Sequence, residues 1–383
     1  KSVLGEDLYV SQTLNNMGIL HATLCEYSDA IECLEEALRI RRVLLHPEHE
    51  DVASTLHNMG NVHARQGDYR KALYVYKDAY KIRKSRFGRE HWSVANTLHN
   101  LGNVHARLGD NAHAMSCYEK ALEIREKSGS NMVDLASTLH KLAVLEMNLE
   151  DYENALAHYE RALEIKISQL GTDHFNLVSI LNGIAQICTS VQKKNFKRAI
   201  ECYEEALRVL KVNIGERHKG VADVLNNLGY IYTEKQCGFY DLNKAIEYHE
   251  NALQILRNLS DQNHVDVAKT LCRLGVSYAE LLQDSISTSN PIHEQSMMEK
   301  AIQHLEQCLS IYKHLVLPQH QSEHSDHTKD MAKALYYEGI LHMRSSSHTD
   351  TKEHDTQALD CFEESLSLYR QIMDNESPGD ADG

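Results

Sequence analysis

The sequence predicts an all-α fold, a right-handed α-solenoid of eight helical hairpins, and three observations carry that prediction. Val52 to Asp68 (VASTLHNMGNVHARQGD) and Val94 to Asp110 (VANTLHNLGNVHARLGD) agree at 14 of 17 positions with an offset of 42. A fixed period of this size is the mark of a repeat array rather than of separate domains. Within each period the apolar residues recur at helical spacing twice. Only 4 prolines occur in 383 residues, and runs of β-branched and aromatic residues are few, so long helices are favoured over strands.

The third unit shows the elements in order. Val94, Leu98, Leu101, Val104 and His105 form one amphipathic stripe, and Ala114, Tyr118, Ala121, Leu122 and Ile124 form the next, so the unit is a pair of helices. Gly109-Asp110, matched by Gly67-Asp68, suits the turn between them. Glycine accepts a positive φ at a helix end, and aspartate caps the free amides of the helix that follows. A small residue recurs in each first helix at Gly18, Gly60, Gly102, Ala143, Ala185, Gly229, Gly275 and Gly339, and in each second helix at Ala37, Ala79, Ala121, Ala162, Ala206, Ala252, Cys308 and Ser365. These let the helices approach closely, with Tyr76, Tyr118, Tyr159 and Tyr203 filling the gap beside them. One hairpin cannot bury both its apolar faces, so stacking on its neighbours is what stabilises it.

The units lie near 7–48, 49–90, 91–132, 133–173, 174–217, 218–263, 264–326 and 327–372, one solenoid over 1–374 with an acidic tail at 375–383 (NESPGDADG). The tail's composition suits disorder. Insertions at 234–240, 284–295 and 344–356 are expected in the same turn of their units and so at one edge, while 314–326 joins the last two units.

This pattern resembles the tetratricopeptide repeat. The family's leucine, small residue and aromatic of the first helix find counterparts in Leu14-Gly18-His21, Leu56-Gly60-His63 and Leu225-Gly229-Tyr232, and the second-helix series in Ala72-Tyr76-Ala79. Leucine replaces the usual tryptophan, and the period is 42 rather than 34. With H-x-x-V-A before the first helix (His49-Val52-Ala53, His91-Val94-Ala95, His218-Val221-Ala222, His264-Val267-Ala268) and an L-N-N-L-G-like centre at Leu14 to Gly18 and Leu225 to Gly229, the units resemble the kinesin light chain type. That resemblance implies a domain binding cargo peptides. The family's heptad coiled coil has no counterpart here.

Composition narrows the function. With 40 Lys and Arg against 55 Asp and Glu the formal charge is −15, which argues against a nucleic-acid partner and an anionic membrane surface. No stretch approaches the ~18 apolar residues of a membrane span, so direct membrane insertion is not expected. Nine cysteines without C-x-x-C spacing suggest neither disulfides nor a thiolate zinc site and fit an intracellular, cytoplasmic setting. The chain opens on Lys1 rather than methionine, and a targeting segment upstream is left open. No H-E-x-x-H, G-x-x-x-x-G-K-[ST], G-x-G-x-x-G or G-x-S-x-G occurs. No enzyme activity, cofactor or metal is expected. His49, His91, His174, His218 and His264 recur once per unit, three residues before an opening apolar residue, which suits a structural loop role better than convergent ligation. His63 and His105 sit in the aromatic slot and read as packed, hydrogen-bonded histidines. Cys33, Cys117, Cys202, Cys308 and Cys361 read as small core residues.

In this architecture the first helices line the inner surface, with side chains at a spacing of four. The candidate groove is His57, Asn61 and Arg65, then His99, Asn103 and Arg107, continued by Asn15, His140, Asn182 with Gln186, and Asn226 with Tyr230. Asparagine satisfies both an amide and a carbonyl of an extended peptide, and arginine takes a carboxylate bidentately. Cys272 with Val276 and Tyr336 with Ile340 break the series, so the groove is expected through units one to six. Val52 to Lys127 carries 13 Lys and Arg against 7 Asp and Glu. Much of that excess falls in Lys77 to Arg89, read as a solvated outer surface, yet Arg65 and Arg107 within this positive field favour an acidic segment or a terminal carboxylate. The expected function is a scaffold binding an extended, acidic peptide of a protein partner. The alternative is a structural subunit packing through its convex face and edge insertions. A regulatory domain of a longer enzyme is a third reading.

Overall fold

The computed structural model describes residues 2–129, 131–190, 194–259, 264–284, 291–315, 324–349 and 352–376, and every regular element among them is an α-helix. The chain forms two compact units, Lys1–Ile187 and Cys188–Gly383. The first holds α1 (Ser2–Thr23), α2 (Tyr27–Leu44), α3 (Glu50–Gln66), α4 (Tyr69–Phe87), α5 (Trp92–Arg107), α6 (Asn111–Ser128), α7 (Met132–Asn148) and α8 (Tyr152–Leu170), and the division falls within α9 (Leu177–Thr189). Helices α1 and α2, α3 and α4, α5 and α6, and α7 and α8 pair as hairpins, and each second helix packs on the next first helix through α7. The second unit holds α10 (Phe196–Ile214), α11 (Lys219–Thr233), α12 (Leu242–Leu259), α13 (Val265–Asp284), α14 (Pro291–Leu315), α15 (His324–Thr349) and α16 (Lys352–Glu376), paired as α11 with α12, α13 with α14 and α15 with α16. This is the all-α solenoid arrangement that the period implied.

Close approach inside a hairpin depends on the small residues. A Cβ on Gly60 would lie 2.5 Å from the Tyr76 ring, and one on Gly102 would lie 2.6 Å from Tyr118. Both tyrosines are fully buried, which contributes about 1.5–3 kcal/mol each for an aromatic ring of this kind. Each hydroxyl is satisfied as well, donating to Asn61 Oδ1 at 2.6 Å and Asn103 Oδ1 at 2.8 Å. Gly67, at φ 86, ends α3 in the left-handed region, and Asp68 caps α4 by accepting from the Lys71 amide at 3.2 Å. Asp110 does the same for α6 from the His113 amide at 3.2 Å.

The once-per-unit histidines turn out to be helix caps. Nδ1 of His49, His91, His174, His218 and His264 accepts the backbone N–H two residues on, at 3.0–3.3 Å. An accepting Nδ1 leaves the ring proton on Nε2.

The basic run Lys77 to Arg89 is not uniformly solvated, because Arg83 is buried. Arg41, Arg83 and Arg125 are spaced by one period and reach from a second helix onto the next hairpin, donating to Thr55 at 2.7 Å, Thr97 at 2.9 Å and Thr138. In the later two insertions the described residues are helical: Asp284 closes α13, 291–295 open α14, and 344–349 and 352–356 belong to α15 and α16. Residues 285–290, 350–351, 316–323 and the tail from 377 lie outside the described residues. The 234–240 insertion is a loop throughout, and its own Cys237 is buried.

Candidate peptide-binding face

In the first unit the first helices run side by side and are joined by polar side chains a period apart. Asn58 donates to Asn15 at 3.1 Å, Asn100 to Asn61 at 3.1 Å, and Thr138 lies 3.2 Å from His99 Nδ1. The His57 ring sits between Arg83 Nη1 at 3.3 Å and the Asn100 amide at 3.2 Å. Since arginine only donates, His57 Nδ1 accepts, and a neighbouring guanidinium opposes a second ring proton. Burial, aided by Arg83, holds the His57 pKa down at about 3; burial, aided by Arg125, does so for His99, also at about 3. His140 is held at about 4 by burial and then by the nearby lysines.

The expected groove residues thus fall into two sets. Asn15 is buried, and His57, Asn61, His99, Asn103 and His140 are half-buried; internal hydrogen bonds engage the first five, and the His140 ring lies tilted at 46° to Tyr159 with centroids 5.8 Å apart. Arg65, Arg107 and Gln186 are exposed, Arg65 also donating to the Ala22 carbonyl at 3.3 Å. Asn182 is half-buried, its Oδ1 without a hydrogen-bond partner. In the second unit Asn226 is buried, bonded to Thr270 at 2.8 Å and to His249 Nδ1 at 2.9 Å. That pairing leaves His249 Nε2 buried and unpartnered. Tyr230 is exposed, its hydroxyl pushed up to about 12 by burial and by Glu234.

A cleft of about 510 Å³ opens on α5, α6 and α7, lined among others by Asn103, Arg107, Tyr118, Lys141, Val144 and Asn148, with no acidic side chain in its lining. Burial and then the Arg107 charge lower the Lys141 pKa, so two cations share one partly desolvated space. An anion there relieves both. Lys141 was not among the expected residues. Its signal was present, for it occupies the slot of Asn58 and Asn100, one position beyond the histidine series.

Comparison with known proteins agrees with this architecture. Models of the tetratricopeptide repeat family match residues 9–85 and 134–211, and a further such model matches 94–128. These segments of the chain are tetratricopeptide repeats. Its 42-residue units are of the kind that resembles the kinesin light chain type. A STAND signal-transduction ATPase with a tetratricopeptide repeat sensor from Pyrococcus horikoshii aligns at 18% identity with a TM-score of 0.63, over 95% of this chain and 49% of that one. The apo form of RapI aligns at 14% with a TM-score of 0.53 over 79% and 97%, and BtubC (BKLC) from P. vanneervenii at 23% with a TM-score of 0.50 over 67% and 94%. These likenesses speak to fold. No curated protein matches the sequence. Among the described residues no helix is long and apolar enough to cross a membrane.

Proposed function

We propose that this repeat scaffold captures an extended peptide of a protein partner on the first-helix face of its first unit, with an acidic side chain or terminal carboxylate seated between Arg107 and Lys141. The observation that carries the reading is the cleft lined by those two cations without a counter-ion. The tetratricopeptide fold is that of a protein-interaction scaffold, and the exposed cations supply selectivity for an anion. The half-buried His57, Asn61, His99 and Asn103 set the spacing of the first helices, so their part is to shape the face. Arg65, Arg107, Lys141 and Gln186 are the side chains that meet the partner.

Fluorescence polarisation with a pool of acidic and neutral extended peptides tests this. Acidic peptides are expected to bind at micromolar strength, with Arg107→Glu plus Lys141→Glu weakening capture at least ~10-fold, since two charge-assisted contacts reverse sign. Equal capture of acidic and neutral peptides, or an unchanged affinity in the double variant, would overturn the reading. Failure of every peptide, with the chain recovered only in a stoichiometric complex, would favour a structural subunit.

A further inference from the structure

The turn joining α5 to α6 brings together two imidazoles and a carboxylate that the peptide-binding reading does not use. We propose that it binds a divalent d-block cation of the zinc class, held by His105 Nδ1, Asp110 Oδ2 and His113 Nδ1. The three donor atoms lie within 4.8 Å of one another. Asp110 Oδ2 is 3.1 Å from His105 Nδ1 and 2.9 Å from His113 Nδ1, so these donors need to spread by only a few tenths of an ångström to reach the ~3.3–3.6 Å edges of a tetrahedron with bonds of about 2.0–2.2 Å. The rings are nearly parallel, 18° apart with centroids at 5.1 Å. Two imidazoles and one carboxylate are a donor set for zinc, nickel or copper rather than for magnesium or calcium, and they leave a position for water.

The surroundings prepare the donors. Asp110 Oδ1 accepts the His113 amide at 3.2 Å and lies 2.9 Å from His113 Nδ1 as well, which fixes the carboxylate, as the outer hydrogen bonds of a metal site do. His105 is buried, so one imidazole of the set is held in place by the packing around it.

The other repeats show what this position demands. In the second hairpin the same three places hold His63, Asp68 and Lys71, and the lysine ammonium lies 3.0 Å from the carboxylate. There the aspartate already has its cation. In the third hairpin an imidazole, whose ring nitrogen can ligate a metal, replaces that ammonium. The first hairpin repeats the spacing with His21, Glu26 and Asp29. That set has one imidazole and two carboxylates, is more exposed, and is the weaker competitor for a d-block ion.

The test is calorimetric titration of zinc chloride into the full chain at about pH 7.5, where imidazoles are available, with cobalt absorption reporting the ligand field. His113→Lys copies the second hairpin's arrangement at an exposed position, and His21→Gln serves as the control. Wild type and His21→Gln are expected to take one equivalent that His113→Lys lacks, with far-UV dichroism alike in all three. If His113→Lys binds as many equivalents as wild type, or if wild type binds none, the site is a hydrogen-bonded His-Asp-His cluster and the inference is wrong. Peptide capture is a separate measurement, so either proposal can fail alone.

Discussion

Glu150 shows how much a single backbone position carries. It stands where Gly67 and Gly109 stand, before the capping aspartate, and adopts φ 62. A non-glycine residue in the left-handed region costs about 1–2 kcal/mol, while glycine adds roughly 1 kcal/mol of unfolded-state entropy at most. Glu150→Gly is therefore expected to stabilise the first unit by about 0.5–1 kcal/mol, read as a higher urea midpoint at unchanged slope. A lower midpoint would mean that the Glu150 side chain contributes a contact outweighing the strain. The turn was legible from Gly67-Asp68 and Gly109-Asp110 because a helix stop followed by a cap is a local event. Its persistence with Cys25, Glu150 and Lys194, all at positive φ, was not, because neighbouring helices impose the conformation there.

Between helices, the buried arginines decide how one hairpin seats on the next. Arg83 reaches Thr97 at 2.9 Å and the Ser93 carbonyl at 3.4 Å on α5, and also Glu50 at 3.1 Å on α3. Removing it strands several buried acceptors. Arg83→Met is expected to cost about 2–3 kcal/mol, somewhat below a fully buried pair because Glu50 is partly exposed. Lys81→Met, two residues away and on the opposite side of the same helix, removes an exposed pair with Asp78 and is expected to stay within about 0.5 kcal/mol. Chemical denaturation of both variants checks the contrast, and equal losses would refute the bridging role. Arg83 was hidden in a run of lysines and arginines; the clue was its recurrence with Arg41 and Arg125 at the repeat period. An isolated surface charge has no reason to keep that spacing.

Across the whole molecule, buried neutral histidines tie folding to pH. His57, His99 and His140 in the first unit and His249 and His304 in the second are all held low by desolvation, at about 3, 3, 4, 3 and 4. Their unfolded value is about 6.5, so between these limits the unfolded chain binds more protons. Stability is then fully present above about pH 6.5 and falls as the solution is acidified towards pH 3–4. Thermal melts should show the decline beginning well above the usual carboxylate range. His57→Gln with His99→Gln should flatten it relative to wild type, even if the variant starts less stable. A decline confined to pH below about 4 would assign acid sensitivity to the carboxylates instead.

The repeat period, the hairpin in each unit, the Gly-Asp turn and the pairing of tyrosine with glycine could all be read from the chain. Each is a short-range or periodic pattern that one amphipathic element must satisfy before it can pack. The fate of the inner polar residues could not be read. Asn15 meets Asn58 and His57 meets Asn100 across 43 residues, and those bonds, absent from any single helix, join the inner polar residues of neighbouring hairpins. Arg107 and Lys141 likewise come to line a common cleft, because the depth of each side chain is set by the neighbouring hairpin.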